Sequence, residues 1–184
     1  MASEPGSPRA SAIDLLQGAS DDFSWIMSRV EPAHELAARG PGQWNVRQVL
    51  AHMVMYEEQY TLPTLDLLAS GQPAVGLDIT GTESDLQHPT EELASLTAPE
   101  LHARLRTADA RRRELIERMS DAAFAAPSRT LWGPMSARWV VEKAFGHYWE
   151  HGVTVFYITH FYESVAHGLR SLTREQREKL ESLG

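Results

Sequence analysis

Two histidines, His147 and His151, stand one helical turn apart in the stretch Phe145-Gly-His-Tyr-Trp-Glu-His-Gly152. Side chains at i and i+4 of a helix point the same way. Imidazoles so placed are donors for a divalent metal. A third from a facing helix would complete a three-nitrogen site with positions open to water or substrate. His52, in a second helical stretch that follows Trp44-Asn-Val-Arg-Gln-Val-Leu-Ala51, is the candidate for that third donor. Spacing alone fits hydrogen-bonded core histidines as well, because a chain with eight histidines produces such pairs by chance.

The faces of the two helices sharpen this. At about 100° per residue, His151 lies about 40° from His147, and Val140, Ala144, Thr154 and Val155 fall within about 80° on the same side. Phe145, Trp149, Gly152 and Phe156 gather on the opposite side. A helix apolar on both sides is buried on both, so one side should meet the bundle core and the other a second subunit, making a homodimer. On the upstream helix, Gln48, Val49, Met55, Tyr56, Gln59 and Leu67 share the side of His52, whereas Glu57 and Glu58 point away and are poor ligands. Gln48 and Gln59 are candidate acceptors for the outer N–H of a ligating imidazole. Tyr56 is placed to donate a hydrogen bond at the metal, and equally fits a core aromatic. Arg112 interrupts an apolar seam on a third helix. It either snorkels to solvent or reaches a carboxylate on an acid substrate or thiol cosubstrate.

The elements that must position these residues are helical. Ile13, Leu16, Phe23, Ile26 and Val30 predict a first helix over 11–30, after a Pro-, Ser- and Gly-rich stretch (1–10) expected to be disordered. Asn45 with Gln48 predicts a capping box for a second helix from Val46 to about Ala69, kinked or ended early by Pro63. Residues 70–97 form a long Gly- and Pro-containing link with one short helix near Glu91–Ser95. Thr97-Ala-Pro-Glu100 starts a third helix with the seam Leu101, Leu105, Ala108, Leu115 and Met119. After a second link over 120–135, Ser136 caps a fourth helix reaching about Tyr162, and Thr173-Arg-Glu-Gln176 starts a charged C-terminal extension over 169–184. No segment alternates with period two. The prediction is an all-α four-helix bundle over 11–168, up-down-down-up, with the long crossover between helices two and three.

Composition narrows the chemistry. The 184-residue chain carries a formal charge of −8, which argues against nucleic acid and against anionic membranes as partners. It has no cysteine, so a thiolate ligand or nucleophile of its own is excluded. A signal-type apolar core and a membrane-length apolar run are both missing from the sequence, so a cytoplasmic setting is the expectation.

Trp44 to His52, with a capping Asn after the Trp and His eight residues beyond it, resembles the second-helix motif of the DinB-like metalloprotein superfamily. His147-x-x-x-His151 resembles that family's fourth-helix motif. The resemblance covers about 11–165. It implies a four-helix bundle, often dimeric, with a divalent metal on His52, His147 and His151, zinc or nickel by preference. The family includes bacillithiol S-transferases and mycothiol-dependent maleylpyruvate isomerases. The implied activity is metal-dependent activation of a low-molecular-weight thiol, or of water, against a small electrophile. Three neutral ligands leave a dication strongly electrophilic, which suits that chemistry.

Two other enzymes fit less well. His147-Tyr-Trp-Glu150-His151 matches the inverted zinc-protease pattern H-x-x-E-H, with Glu150 as base, but leaves His52 without a role. A di-iron carboxylate site needs paired Glu-x-x-His motifs, and only Glu31-Pro-Ala-His34 matches, with a proline inside it. The non-enzymatic alternative is a stress-related binding module whose metal is structural or vestigial.

Overall fold

The structure, a computed structural model, describes residues 6–40, 42–75 and 90–171, with side chains as far as 161. The expected cap at Thr173 lies outside these residues. Helix α1 (Pro8–Met27) begins on Ser7, whose hydroxyl accepts from the Ala10 amide, with Pro8 in the first turn, where its missing N–H costs nothing. The helix starts three residues before the expected position 11, inside the stretch expected to be disordered, because Ser7 and Pro8 supply its cap and first-turn proline. A short 3₁₀ turn (Pro32–His34) leads to α2 (Val46–Tyr56), which opens on the Asn45–Gln48 capping box as expected.

Pro63 neither breaks nor sharply ends the second helix. A π-turn (Glu57–Thr61) precedes it, and α3 (Leu62–Ala69) continues with Pro63 in its first turn. In a regular helix the proline ring would collide with the carbonyl four residues back, and the wider π-turn removes that clash. After the link come α4 (Glu91–Ser95), α5 (Ala98–Glu117) on its Thr97–Glu100 capping box, and α6 (Asp121–Ala125). The second link holds a feature that sequence periodicity did not suggest: a hairpin of β1 (Pro127–Thr130) and β2 (Gly133–Ser136). Gly133 supplies the positive φ of its turn, at 98°. The long α7 (Ala137–Ser171) follows directly and runs past the predicted end near Tyr162.

Side-chain contacts give the direction of each helix. Ser20 bonds Asp109 and Ser24 bonds His102, so α1 and α5 are antiparallel. Arg47 donates to the Leu96 carbonyl while Arg118 pairs with Asp66, so α2 and α3 run parallel to α5. Phe23 meets Tyr148 and Trp25 meets Phe156, so α1 and α7 are parallel. Helix α2 meets α7 antiparallel, with Trp44 near His151 and Tyr56 near His147. This is an up-down-down-up four-helix bundle, in which α1 and α2 each pack on α5 and α7.

The core has two apolar clusters, one around Leu50, Met53, Leu101, Leu105 and Val155, the other around Leu65, Leu115, Ile116, Phe124 and Val141. A buried polar network lies between them. Arg112, only 2% exposed, donates to Glu57 Oε1 at 2.7 Å and also pairs with Asp109, which accepts from the Tyr148 hydroxyl at 2.9 Å. Glu57 does point away from His52, but into the bundle against α5, where it is 0% exposed. Arg112 therefore neither snorkels nor is free for a ligand carboxylate. Burial pushes the Glu57 carboxyl up from its usual range, and the Arg112 charge pulls it back.

Arg112→Ala should destabilise the protein by about 3–5 kcal/mol, because it strands a buried carboxylate. The double variant Glu57→Leu/Arg112→Met should recover more than half of that loss. Urea unfolding of the two variants checks this, and a double variant as unstable as the single one would overturn it.

Candidate metal centre

Two helices converge on the site. The Asn45–Gln48 cap fixes the start of α2 and so the height of His52, and α7 presents His147 and His151 on consecutive turns. One ring nitrogen from each lies within 4.8 Å of the others. His52 Nε2 is 3.0 Å from His147 Nε2. Nitrogens that share an ion at about 2.0–2.1 Å are about 3.0–3.4 Å apart, so this separation suits a common metal. The rings meet edge to face, at 67° for His52 and His147, 72° for His52 and His151, and 86° for the α7 pair. Trp44 walls the centre on one side, 4.8 Å from the His52 ring and 6.3 Å from that of His151.

The electrostatics favour lone pairs over protons. Burial, reinforced by His151, His52 and Lys143, pushes His147 down to about 2. Burial and then His52 push His151 down to about 4. Both are therefore neutral near pH 7 and able to ligate. Two buried polar atoms here have no hydrogen-bond partner: His147 Nδ1 and the Tyr56 hydroxyl. Burial, then the Glu57 charge, push the Tyr56 phenol up, so it keeps its proton as a donor. Its ring centroid is 4.5 Å from that of His147. Among the described residues no carboxylate joins the three nitrogens. An all-imidazole, borderline donor set fits zinc or nickel.

The other residues singled out from sequence are dispersed. Gln48 accepts from the Asn45 amide at 3.0 Å in the cap and is exposed, so its side chain is committed at the helix start. Gln59 sits exposed on the π-turn. Thr154 donates to the Glu150 carbonyl at 3.3 Å, one turn back on α7. Arg112 is held by Glu57 and Asp109. Glu150 is exposed. Of this set only Tyr56 adjoins the histidines. Sequence reasoning passed over Lys143, whose ammonium lies over the rings of Tyr56, Trp132 and Trp139. The signal was present: Lys143 precedes His147 by the same spacing that relates His147 to His151.

The depressed histidines make a pH prediction for metal-free protein. Their folded values lie below the ordinary 6.5, so below that pH the unfolded chain takes up protons that the folded chain refuses. Stability should be full above about pH 6.5 and fall as pH drops toward 4, with His147→Gln showing a shallower slope. Denaturant midpoints across this range test it, and a flat wild-type profile would overturn it.

Known proteins share this architecture. The fold is similar to the crystal structure of a mycothiol-dependent maleylpyruvate isomerase, at 16% identity and a TM-score of 0.62 over 80% of this chain; the chain spans about 60% of that protein. It is also similar to YfiT from Bacillus subtilis, described as a probable metal-dependent hydrolase with an unusual four-helix bundle topology. There the identity is 15% and the TM-score 0.62, over 90% of this chain and 91% of that one. No curated protein matches the sequence significantly. The family model of the DinB superfamily matches residues 15–155, a span that contains His52, His147 and His151. This chain belongs to the DinB superfamily.

Proposed function

We propose that this protein is a divalent-metal-dependent enzyme that activates a low-molecular-weight thiol, or water, for attack on a small electrophilic substrate. The observation that carries this reading is the cluster of three imidazoles, two of them pushed far toward neutrality, with no carboxylate closing it among the described residues. His52, His147 and His151 would hold the ion, with zinc and nickel as the preferred metals. Such an ion lowers the pKa of a thiol or water that it binds and polarises an electrophile. The chain's own contributions are distinct. Trp44 shields one side of the centre from water. The Tyr56 phenol, protonated and without a partner, can donate to an oxygen of the substrate. The thiol must come from a cosubstrate, since the sequence has no cysteine. The two structural neighbours support either nucleophile, one named as mycothiol-dependent and the other as a probable hydrolase. A cytoplasmic setting suits this chemistry, because small thiols stay reduced there.

Metal analysis should find about one ion per wild-type chain and a large loss in His52→Ala and in His147→Ala. Full occupancy in both variants would overturn the site. Metal-dependent consumption of bacillithiol, mycothiol or glutathione in the presence of small electrophiles should then appear. A bound metal with a fourth protein ligand and no exchangeable position would favour a structural ion in a binding module instead.

We further propose a homodimer through the groove between α1 and α7. It has a volume of about 530 Å³ and is lined by Leu15, Trp25, Trp149 and Phe156 among others, with Trp149 66% exposed. Asp14 stands at one end and Arg29, over Trp25, at the other, so a two-fold copy would set acid against base. Sedimentation should show a wild-type dimer and a monomeric Trp149→Glu with unchanged metal content. A wild-type monomer would overturn this.

A further inference from the structure

Lys143 is an exposed residue whose ammonium is nevertheless drawn over aromatic faces. Its Nζ lies 5.6 Å from the ring centroid of Tyr56, 5.8 Å from that of Trp132 and 5.9 Å from that of Trp139. Those rings come from three elements: the end of α2, the hairpin turn and the first turn of α7. Among the described residues no carboxylate lies within ion-pair reach of it. Its neighbour Glu142 is already bonded to Arg138 at 2.7 Å. Of the thirteen Lys and Arg side chains described, six have an acid partner (Arg9, Arg104, Arg111, Arg112, Arg118 and Arg138), whereas Lys143 lies against three aromatic faces. Aromatic faces attract an ammonium and restrict where it goes, but do not neutralise it.

The position of this charge matters more than its presence. Lys143 precedes His147 by one helical turn and so shares its face of α7. Tyr56 lies between them, its ring 4.5 Å from that of His147 and under the Lys143 ammonium. The buried Tyr56 hydroxyl has no partner. The field of Lys143 reaches the three-histidine centre, where it helps to hold His147 neutral. A fixed cation, a free phenol donor and flat apolar walls thus stand together beside the candidate metal centre.

We propose that Lys143, framed by Tyr56, Trp132 and Trp139, recognises the carboxylate of a small molecule with a flat or apolar body, which reaches from there to the three-histidine centre. This deepens the functional reading above and rests on it for the place of reaction. One ammonium and one phenol match the two oxygens of a carboxylate. A phosphate, with three oxygens and more charge, would be better matched by more donors than one ammonium and one phenol. The carboxylate can belong to the electrophile or to the thiol cosubstrate.

The test uses metal-free, full-length protein, so that a carboxylate cannot bind through the ion. Benzoate and its neutral counterpart benzamide are titrated by tryptophan fluorescence and calorimetry. Wild type should bind benzoate at least about tenfold more tightly than benzamide. Lys143→Met should lose that preference while benzamide binding stays the same, and Lys143→Arg should keep most of it. Equal affinities in wild type, no saturable benzoate binding, an unchanged preference in Lys143→Met, or inorganic phosphate binding more tightly than benzoate would each overturn the proposal. Metal content of the same proteins is measured separately. Loss of preference in Lys143→Met with metal retained supports this role, whereas wild type without metal removes the catalytic reading and leaves the benzoate result to be judged alone. With loaded enzyme, pairing each carboxylate-bearing reactant with its amide, for electrophile and for thiol in turn, shows which one Lys143 holds: kcat/KM should fall about tenfold for that amide only.

Discussion

A charge buried between two apolar clusters must have a partner, and the pairing of Arg112 with Glu57 fixes how three of the four helices meet. The guanidinium comes from α5 and the carboxylate from the start of the π-turn after α2. Asp109, one turn before Arg112, takes both that guanidinium and the Tyr148 hydroxyl from α7. A slip of any of these helices would leave a charge or a phenol unpaired in the core, at a cost larger than most apolar rearrangements. The network also governs the site at one remove. Glu57 is the neighbour of Tyr56, and Tyr148 is the neighbour of His147. Residues that face α5 thereby set the register of those that face the histidine centre.

The same burial treats the two polar regions in opposite ways. For Glu57 it opposes the charged form, and an arginine restores it. For His147 and His151 it also opposes the charged form, and no acid offsets it. Carboxylates gather on the α5 side, where they neutralise Arg112, and stay off the histidine cluster. That division leaves neutral imidazoles in a chain with an excess of acids.

What the sequence revealed were features written in local spacing. The His147–His151 pair, the caps at Asn45 and Thr97, and the Trp44-to-His52 interval all depend on residues within a few turns of each other. The long link between the second and third helices gave the up-down-down-up path. What stayed hidden depended on partners far along the chain. Angle placed Glu57 away from His52, but only the wedging of α2 between α5 and α7 makes that direction inward. Arg112 broke an apolar seam for the sake of that distant carboxylate. Gln48 carried two signals, a cap and a stripe position, and one side chain served the nearer need. The hairpin escaped because its strands pair with each other, and Ala74 bridges Thr130, so no alternation with a large core is required. Lys143 escaped because an exposed lysine is ordinary until the rings around it are known.

The topology gives the histidine centre a second consequence. His52 and His147 are 95 residues apart, and they belong to α2 and α7, which the long crossover brings side by side. Contacts between chain segments so distant are costly in loop entropy. The buried network joins α2 to α7 only through α5. The three histidines join them directly. An ion held there would add its binding free energy to a helix pair distant in sequence, because the unfolded chain offers no preformed site. Under the proposed function, reactivity and the closing of the fold would rest on the same three nitrogens. Trp44 and Tyr56 pack this seam, their rings against those of His52 and His147, and so bound the space around the three nitrogens.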